Sequence, residues 1–306
     1  MQHLLTLVDL TPTDIRRIFA LTEDLKSKYE KGLREPLLPG RVMALLFEKQ
    51  SLRTRVSFEA GMTHLGGSTM FLGADTGFGK RESMADFARV ISQYVDVVVV
   101  RAYKHETAAE LAKYADDCRV INGLTDFAHP CQAMADLYTL RELFGELEGR
   151  TLAWVGDANN VARSLALGCG KLGMRMTMAV PEAYQWTEDD LGWVKRQVPE
   201  LDLTVTADPA EAVADASAIY TDVWASMGQE KQREQRKRDF APFQVNEALI
   251  GQAQQGAVFM HCLPARRGEE VTDAVIDGPQ SVVVRQAANR MHAQKGILAW
   301  MLGKAT

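Results

Sequence analysis

No C-x-x-C pair occurs in this sequence. Its four cysteines, Cys118, Cys131, Cys169 and Cys262, stand far apart, which argues against a zinc knuckle or a disulfide framework and fits a reducing, cytoplasmic compartment. Excess positive charge is also missing. The sum of 35 Lys+Arg against 40 Asp+Glu leaves −5, so no global field draws the chain to nucleic acid or to an anionic membrane, and any anion site must be local. Nowhere is there an uncharged run of about 18 residues able to span a bilayer. The first ten residues, MQHLLTLVDL, lack the basic n-region of a signal peptide, so a soluble, unexported protein is expected. Low-complexity tracts and short-period repeats are absent too. What remains is a globular composition: 46% hydrophobic and 25% charged over 306 residues, about two domains at roughly 150 residues each.

Short apolar runs alternate with amphipathic segments, which predicts an α/β fold of parallel strands and crossover helices. The first set holds a helix from Thr11 to Lys31 with Thr11 and Thr13 as capping candidates, and strands at Val42–Phe47, Thr69–Leu72, Val97–Val100 and Val120–Leu124. A helix capped by Ser83 should run through Tyr94. The second set begins at Arg150 with TLAWVG and continues through MRMTMAV, LDLTV, ASAIYTD and GAVFMHC. Between the sets, Pro130–Glu148 reads as a bridging helix, and Gln286–Leu302 as a helix able to return to the first domain. The expectation is therefore two doubly wound parallel-sheet domains, 1–131 and 149–285, joined by a helix over 132–148, with 286–306 packing back on the first. The charge-dense run Glu230–Asp239, EKQREQRKRD, intersperses acids and has no aromatics among its bases, so it reads as a solvated helix face and not a nucleic-acid site.

Chemistry is suggested first by Ser51-Leu52-Arg53-Thr54-Arg55, which follows a buried strand and opens a helix. Backbone N–H groups, hydroxyls and guanidinium forks converge there, as a phosphate requires. The plainer reading is a polar helix N-terminus capped by Ser51. Other polar groups fall at equivalent places, and ligands of open α/β sheets gather outside the carboxyl ends of strands. Arg101 ends one strand; His129 and Gln132, three apart and on one helix face, start the bridging helix and suggest donors aimed at a carbonyl. In the second set, Gly156-Asp-Ala-Asn159-Asn160 occupies a strand-to-helix turn but lacks the further glycines of a dinucleotide fingerprint. Asp222 lies at a strand end with Ser226 and Met227 beyond it, and Cys262 stands at another, where an inert buried thiol is the commoner case.

Assembled, the segments FEKQSLRTRVSFE, DFAHPCQAMADL, GDANNV, DVWASMGQE, FMHCLPARRGEEV and NRMHAQKGILAWML resemble the aspartate/ornithine carbamoyltransferase family, on its ornithine branch, from Phe47 to Leu302. That resemblance implies transfer of the carbamoyl group of carbamoyl phosphate to the δ-amine of L-ornithine, giving citrulline and phosphate, with no metal and no organic cofactor, in a homotrimer with shared sites. By match to the motifs, Ser51, Leu52, Arg53, Thr54 and Arg101 would hold the phosphate; His129, Gln132 and Arg290 would complete the carbamoyl phosphate pocket. Asn160, Asp222, Ser226 and Met227 would hold the amino-acid end of ornithine. Cys262 and Leu263 would lie beside the reacting amine, with Arg101 and His129 as the other catalytic groups.

The chain departs from the family pattern in four places. Leu52 replaces a hydroxyl residue of the phosphate motif, Arg266 replaces a histidine after the HCLP segment, Asp75-Thr76-Gly77-Phe78-Gly79 replaces DIQLG, and Ala158 replaces a glycine. Three other functions compete with the lead. One is the same transfer to putrescine or an N-acylated ornithine, against which Asp222 argues, because a free α-amine needs an anionic partner. The second is an NAD-dependent dehydrogenase, disfavoured by the missing glycines. The third is a catalytically silent binding subunit, disfavoured by the retained Arg53, Arg101, His129, Gln132 and Cys262.

Overall fold

The four consecutive valines Val97–Val100 lie fully buried in a strand, as expected of a parallel sheet covered on both faces, where β-branched residues need not alternate with polar ones. The computed structural model describes residues 3–73, 82–225 and 230–303, and the chain divides into two compact units, 1–138 with 289–306, and 139–288.

In the first unit, β1 (Val42–Phe47), β2 (Ser68–Leu72), β3 (Val97–Arg101) and β4 (Arg119–Leu124) form an all-parallel sheet in the order β2-β1-β3-β4. The crossover helices are α2 (Leu52–His64), α3 (Met84–Ile91) and α4 (His105–Tyr114), with α1 (Pro12–Glu30) preceding the sheet. Thr11 caps α1 through a reciprocal capping box with Asp14, which satisfies two orphan donors at once. Ser83 caps α3 as the sequence suggested, but the helix stops at Ile91, short of Tyr94. There the Ser92 hydroxyl donates to the Arg89 carbonyl at 2.9 Å, competing with continuation of the helix.

The second unit carries β5 (Thr151–Val155), β6 (Arg175–Ala179), β7 (Leu203–Thr206), β8 (Ala218–Thr221) and β9 (Val258–His261), again all parallel, in the order β7-β6-β5-β8-β9. Strand order reverses beside β5, so the turns following β5 and β8 form the switch point where ligands of such sheets collect.

Two helices cross the division of the chain. The helix α5 (Pro130–Phe144) is split between Tyr138 and Thr139, and it ends four residues before the expected Glu148. Gly145, at φ 75°, takes the left-handed conformation that closes the helix at little steric cost. Chain order then gives α6 (Asn160–Lys171), α7 (Glu188–Gln197), α8 (Pro209–Val213), α9 (Arg233–Phe240), α10 (Glu247–Ile250) and α11 (Asp273–Ile276). The last helix, α12 (Val283–Leu302), belongs to the first unit from Asn289 on. There Gly296 lies against α1: a Cβ would approach the Thr22 hydroxyl and come within 2.9 Å of the Ile18 carbonyl. No described helix is long and apolar enough to cross a membrane.

One expectation is corrected. The charged run at 230–239 is not solvated throughout, because Arg236 of α9 is buried, as is Phe240 just after the run. The two sit four apart on one helix face, and Arg236 finds a carboxylate inside the unit that makes its burial tolerable.

Candidate active site

Two clusters form, one in each unit. In the first, Ser51 caps α2, accepting from the Thr54 N–H at 3.4 Å. The Thr54 hydroxyl, fully buried, is a hub: Arg290 Nη2 donates to its Oγ1 at 2.7 Å, Arg101 Nη1 at 3.4 Å and the Ser51 hydroxyl at 3.0 Å. A register shift between Val100 and Arg101 interrupts the β3–β4 ladder; such irregularities re-aim a side chain at a strand end. Among the described residues neither Arg53 nor Arg101 has a carboxylate partner. Burial, then the neighbouring Arg290 and Arg53, pushes the Arg101 guanidinium down to about 10. It is still charged at neutral pH, and the repulsion behind that shift marks a local positive field.

His129 and Gln132 enter the same cluster from the start of α5. Burial and the charges of Arg290, Arg101 and Lys49 hold the His129 imidazole well below the usual histidine range, so it is neutral. The buried Gln132 donates through Nε2 to Asp136 Oδ1 at 2.7 Å. That bond fixes the amide orientation and leaves Oε1 as a buried acceptor without a partner among the described residues. Gln132 therefore presents an acceptor, where the sequence suggested a donor. Leu52 is 76% exposed; only its backbone, at the first position of α2, belongs to the cluster, and that N–H survives loss of the side-chain hydroxyl.

Lys49 was not singled out by the sequence reading. Burial and the charge of Arg101 lower its ammonium, and it adds a further cation beside His129. Its signal was its place two residues before the Ser51 cap. Asp136 was missed as well, one helical turn after Gln132.

In the second unit, β5 runs into Gly156, and Asn159 caps α6, accepting from the N–H groups of Val161 and Ala162 at 2.9 and 3.1 Å. That cap occupies the helix N-terminus on which a dinucleotide pyrophosphate would have to sit. Asn159 Nδ2 also donates to Asp222 Oδ2 at 2.8 Å, while Asp222 Oδ1 accepts from the Val223 N–H at 2.8 Å and the Cys262 thiol at 3.0 Å. Asp222 and Cys262 are thus brought together. Asn160, half-buried, is the first residue of α6, and its neighbour Asn159, which the motif reading passed over, makes the bond to Asp222. Ser226 and Met227 lie outside the described residues, as do residues 75–79.

Leu263 follows Cys262 with φ 57°, a left-handed conformation strained for a large side chain. Its N–H donates to His261 Nδ1 at 2.8 Å, and His261 Nε2 meets Glu270 Oε1 at 3.2 Å. Nδ1 must therefore be unprotonated and Nε2 the donor. Asp222, His261 and Cys262 offer ligand atoms within 4.8 Å of one another. Both ring nitrogens of His261 are committed, however, so the imidazole has no free lone pair for a cation. Cys118, Cys131 and Cys169 are each pushed up to about 12 by burial, which leaves them inert. Arg266, at the departure from the family histidine, places Nη1 3.7 Å from Glu269.

The phosphate-type cluster of one unit and the carboxylate–thiol cluster of the other fall on regions with separate counterparts. Residues 2–142 match the carbamoyl-P binding domain, and residues 148–301 the Asp/Orn binding domain, of aspartate/ornithine carbamoyltransferase. The ornithine carbamoyltransferase of Anoxybacillus flavithermus is 50% identical over 301 residues, covering 97% of this chain and 96% of the relative. That of Bacillus subtilis is 48% identical over 306 residues, covering 99% and 94%. Among solved structures, ornithine carbamoyltransferase from Pyrococcus furiosus superposes with a TM-score of 0.95 at 47% identity, covering 100% of this chain and 98% of that one. The Thermus thermophilus enzyme gives 0.88 at 40% identity, covering 99% of each. With both domain models matched along nearly the whole length, the chain belongs to the aspartate/ornithine carbamoyltransferase family.

Proposed function

We propose that this protein is an ornithine carbamoyltransferase, moving the carbamoyl group of carbamoyl phosphate to the δ-amine of L-ornithine and releasing citrulline and phosphate. The observation that carries the reading is the Thr54 hub. Arg101 and Arg290 share one hydroxyl at the N-terminus of α2, a place where N–H groups and guanidinium forks favour a phosphate. Ser51, Arg53 and Thr54, with the Leu52 N–H, would take the phosphoryl oxygens.

Bond making follows from the same groups. The amine nitrogen attacks the carbamoyl carbon, the carbonyl oxygen gains charge, and the bond to the phosphate oxygen breaks as phosphate leaves. Arg101 and the neutral His129 would donate to the carbonyl oxygen as its charge grows. Gln132 Oε1 would accept from the carbamoyl NH2. At the acceptor end, Asp222 would bind the α-ammonium of ornithine, joined by Asn160, Ser226 and Met227. Cys262 and Leu263 would lie beside the δ-amine. That amine, with a solution pKa near lysine's value of about 10.4, must shed one proton to solvent before attack; the second leaves the nitrogen as the C–N bond forms, and the departing phosphate is a competent acceptor for it. Holding both substrates in line is worth roughly 7–11 kcal/mol of barrier, so no dedicated general base is required.

A homotrimer in the cytoplasm, serving arginine biosynthesis, completes the proposal; sedimentation equilibrium tests the assembly. The deciding assay is citrulline formation from carbamoyl phosphate with ornithine, N-acetylornithine, putrescine and aspartate as acceptors. Activity confined to ornithine is expected. In parallel, Arg53→Ala should raise the carbamoyl phosphate requirement and Asp222→Ala that for ornithine, and wild-type kinetics in either variant would remove the role given to that residue.

A further inference from the structure

The buried arginine of α9 has no part in the chemistry above, yet it touches both segments that carry the acceptor cluster. Arg236 Nη1 donates to the Trp224 carbonyl at 2.7 Å and lies 3.1 Å from Asp157 Oδ1, with both side chains close to fully buried. Asp157 precedes the Asn159 cap by two residues, and Trp224 follows Asp222 by two. Aromatic rings enclose the guanidinium: Tyr184 at 4.7 Å and Phe240 at 5.7 Å from its carbon, with Phe240 in turn stacked on Trp224 at 6.0 Å. The Asp157 segment is held from other sides as well, since the Trp154 indole donates to the Asp157 carbonyl at 2.9 Å and the Trp186 indole to the Ala158 carbonyl at 2.8 Å.

From this geometry we infer that Arg236 is a positioning residue for the acceptor: one guanidinium nitrogen, Nη1, ties the turn bearing Asn159 and Asn160 to the segment bearing Asp222. A lysine carries the charge but lacks the planar guanidinium that packs against Tyr184 and Phe240 and so aims this nitrogen at both partners. Burial raises the Asp157 carboxyl and Arg236 opposes that rise, so removing the arginine alone also leaves a buried carboxylate without its cation. The two effects are separable, because a second change at Asp157 cancels the charge defect but not the lost contact to Trp224.

The inference rests on the ornithine reading, which the wild-type acceptor panel tests first; failure there leaves Arg236 out of account. With citrulline formation established, steady-state kinetics of Arg236→Met should show the ornithine KM raised roughly tenfold or more, with the carbamoyl phosphate KM within about twofold of wild type. Arg236→Lys should stay several-fold raised, and it carries the test alone if the methionine variant does not fold. Asp157→Asn with Arg236→Met should not restore the ornithine KM. Lys237→Met, on the exposed face of the same helix, should leave both constants unchanged. An unchanged ornithine KM in Arg236→Met, a parallel rise in both KM values, or recovery in Arg236→Lys or the double variant would overturn the inference, the last two by showing that only the counter-charge matters.

Discussion

Gln132 and Asp136, one helical turn apart on α5, are joined by a buried bond from Nε2 to Oδ1 of 2.7 Å. It decides which end of the glutamine amide is left over. Asp136→Leu should release that orientation and weaken carbamoyl phosphate use by about 1.5–3 kcal/mol, the scale of a hydrogen bond to a charged group. Asp136→Asn, which keeps an acceptor oxygen, should do much less. The carbamoyl phosphate KM of the two variants, measured at saturating ornithine, checks this.

Thr54→Val keeps the shape of the side chain and removes the oxygen on which Arg101, Arg290 and Ser51 converge. Without that acceptor the two guanidiniums lose the hydroxyl that holds them in place. Calorimetric titration with carbamoyl phosphate should show roughly tenfold or greater loss of affinity, with the melting temperature in the absence of ligand lowered as well.

His129 is held well below 6.5, first by burial and then by Arg290, Arg101 and Lys49. The unfolded chain therefore binds a proton that the folded chain refuses. Its contribution to stability is complete above the unfolded pKa near 6.5 and is lost progressively as the pH falls below it. Urea midpoints of the wild type and His129→Gln, compared at about pH 7.5 and about pH 5.5, should draw closer at the lower pH. A gap that widened on acidification would contradict the neutral assignment.

Gly296→Ala should destabilise the first unit, because the added Cβ meets the Thr22 hydroxyl and the Ile18 carbonyl of α1. A cost of about 1–3 kcal/mol in thermal or urea unfolding is expected for overpacking of this kind. Adding Thr22→Ala should recover part of it, but not all, since the carbonyl remains.

Strands were legible because a parallel sheet writes them as uninterrupted apolar runs: Val42–Phe47 matches its observed bounds, and Val97–Val100 falls short by only Arg101. Caps such as Thr11, Ser51 and Ser83 were legible because a hydroxyl before a helix has one common use. Side-chain partnerships were not. Nothing in EKQREQRKRD marks its second arginine as the one turned inward, since that depends on a carboxylate 79 positions earlier in the chain, at Asp157. The choice between Asn159 and Asn160 likewise needed the position of Asp222, which only tertiary structure supplies.

The first unit is discontinuous, and this bears on the order in which it can be completed during synthesis. Its sheet is encoded before residue 139, but Arg290 and Gly296 arrive only after the whole of 139–288 has been made. Until then a nascent chain exposes the α1 surface around Ile18 and Thr22, and Thr54 lacks one of its donors. Vectorial folding can therefore finish the second unit first, leaving the earlier-born half to be sealed once α12 has left the ribosome.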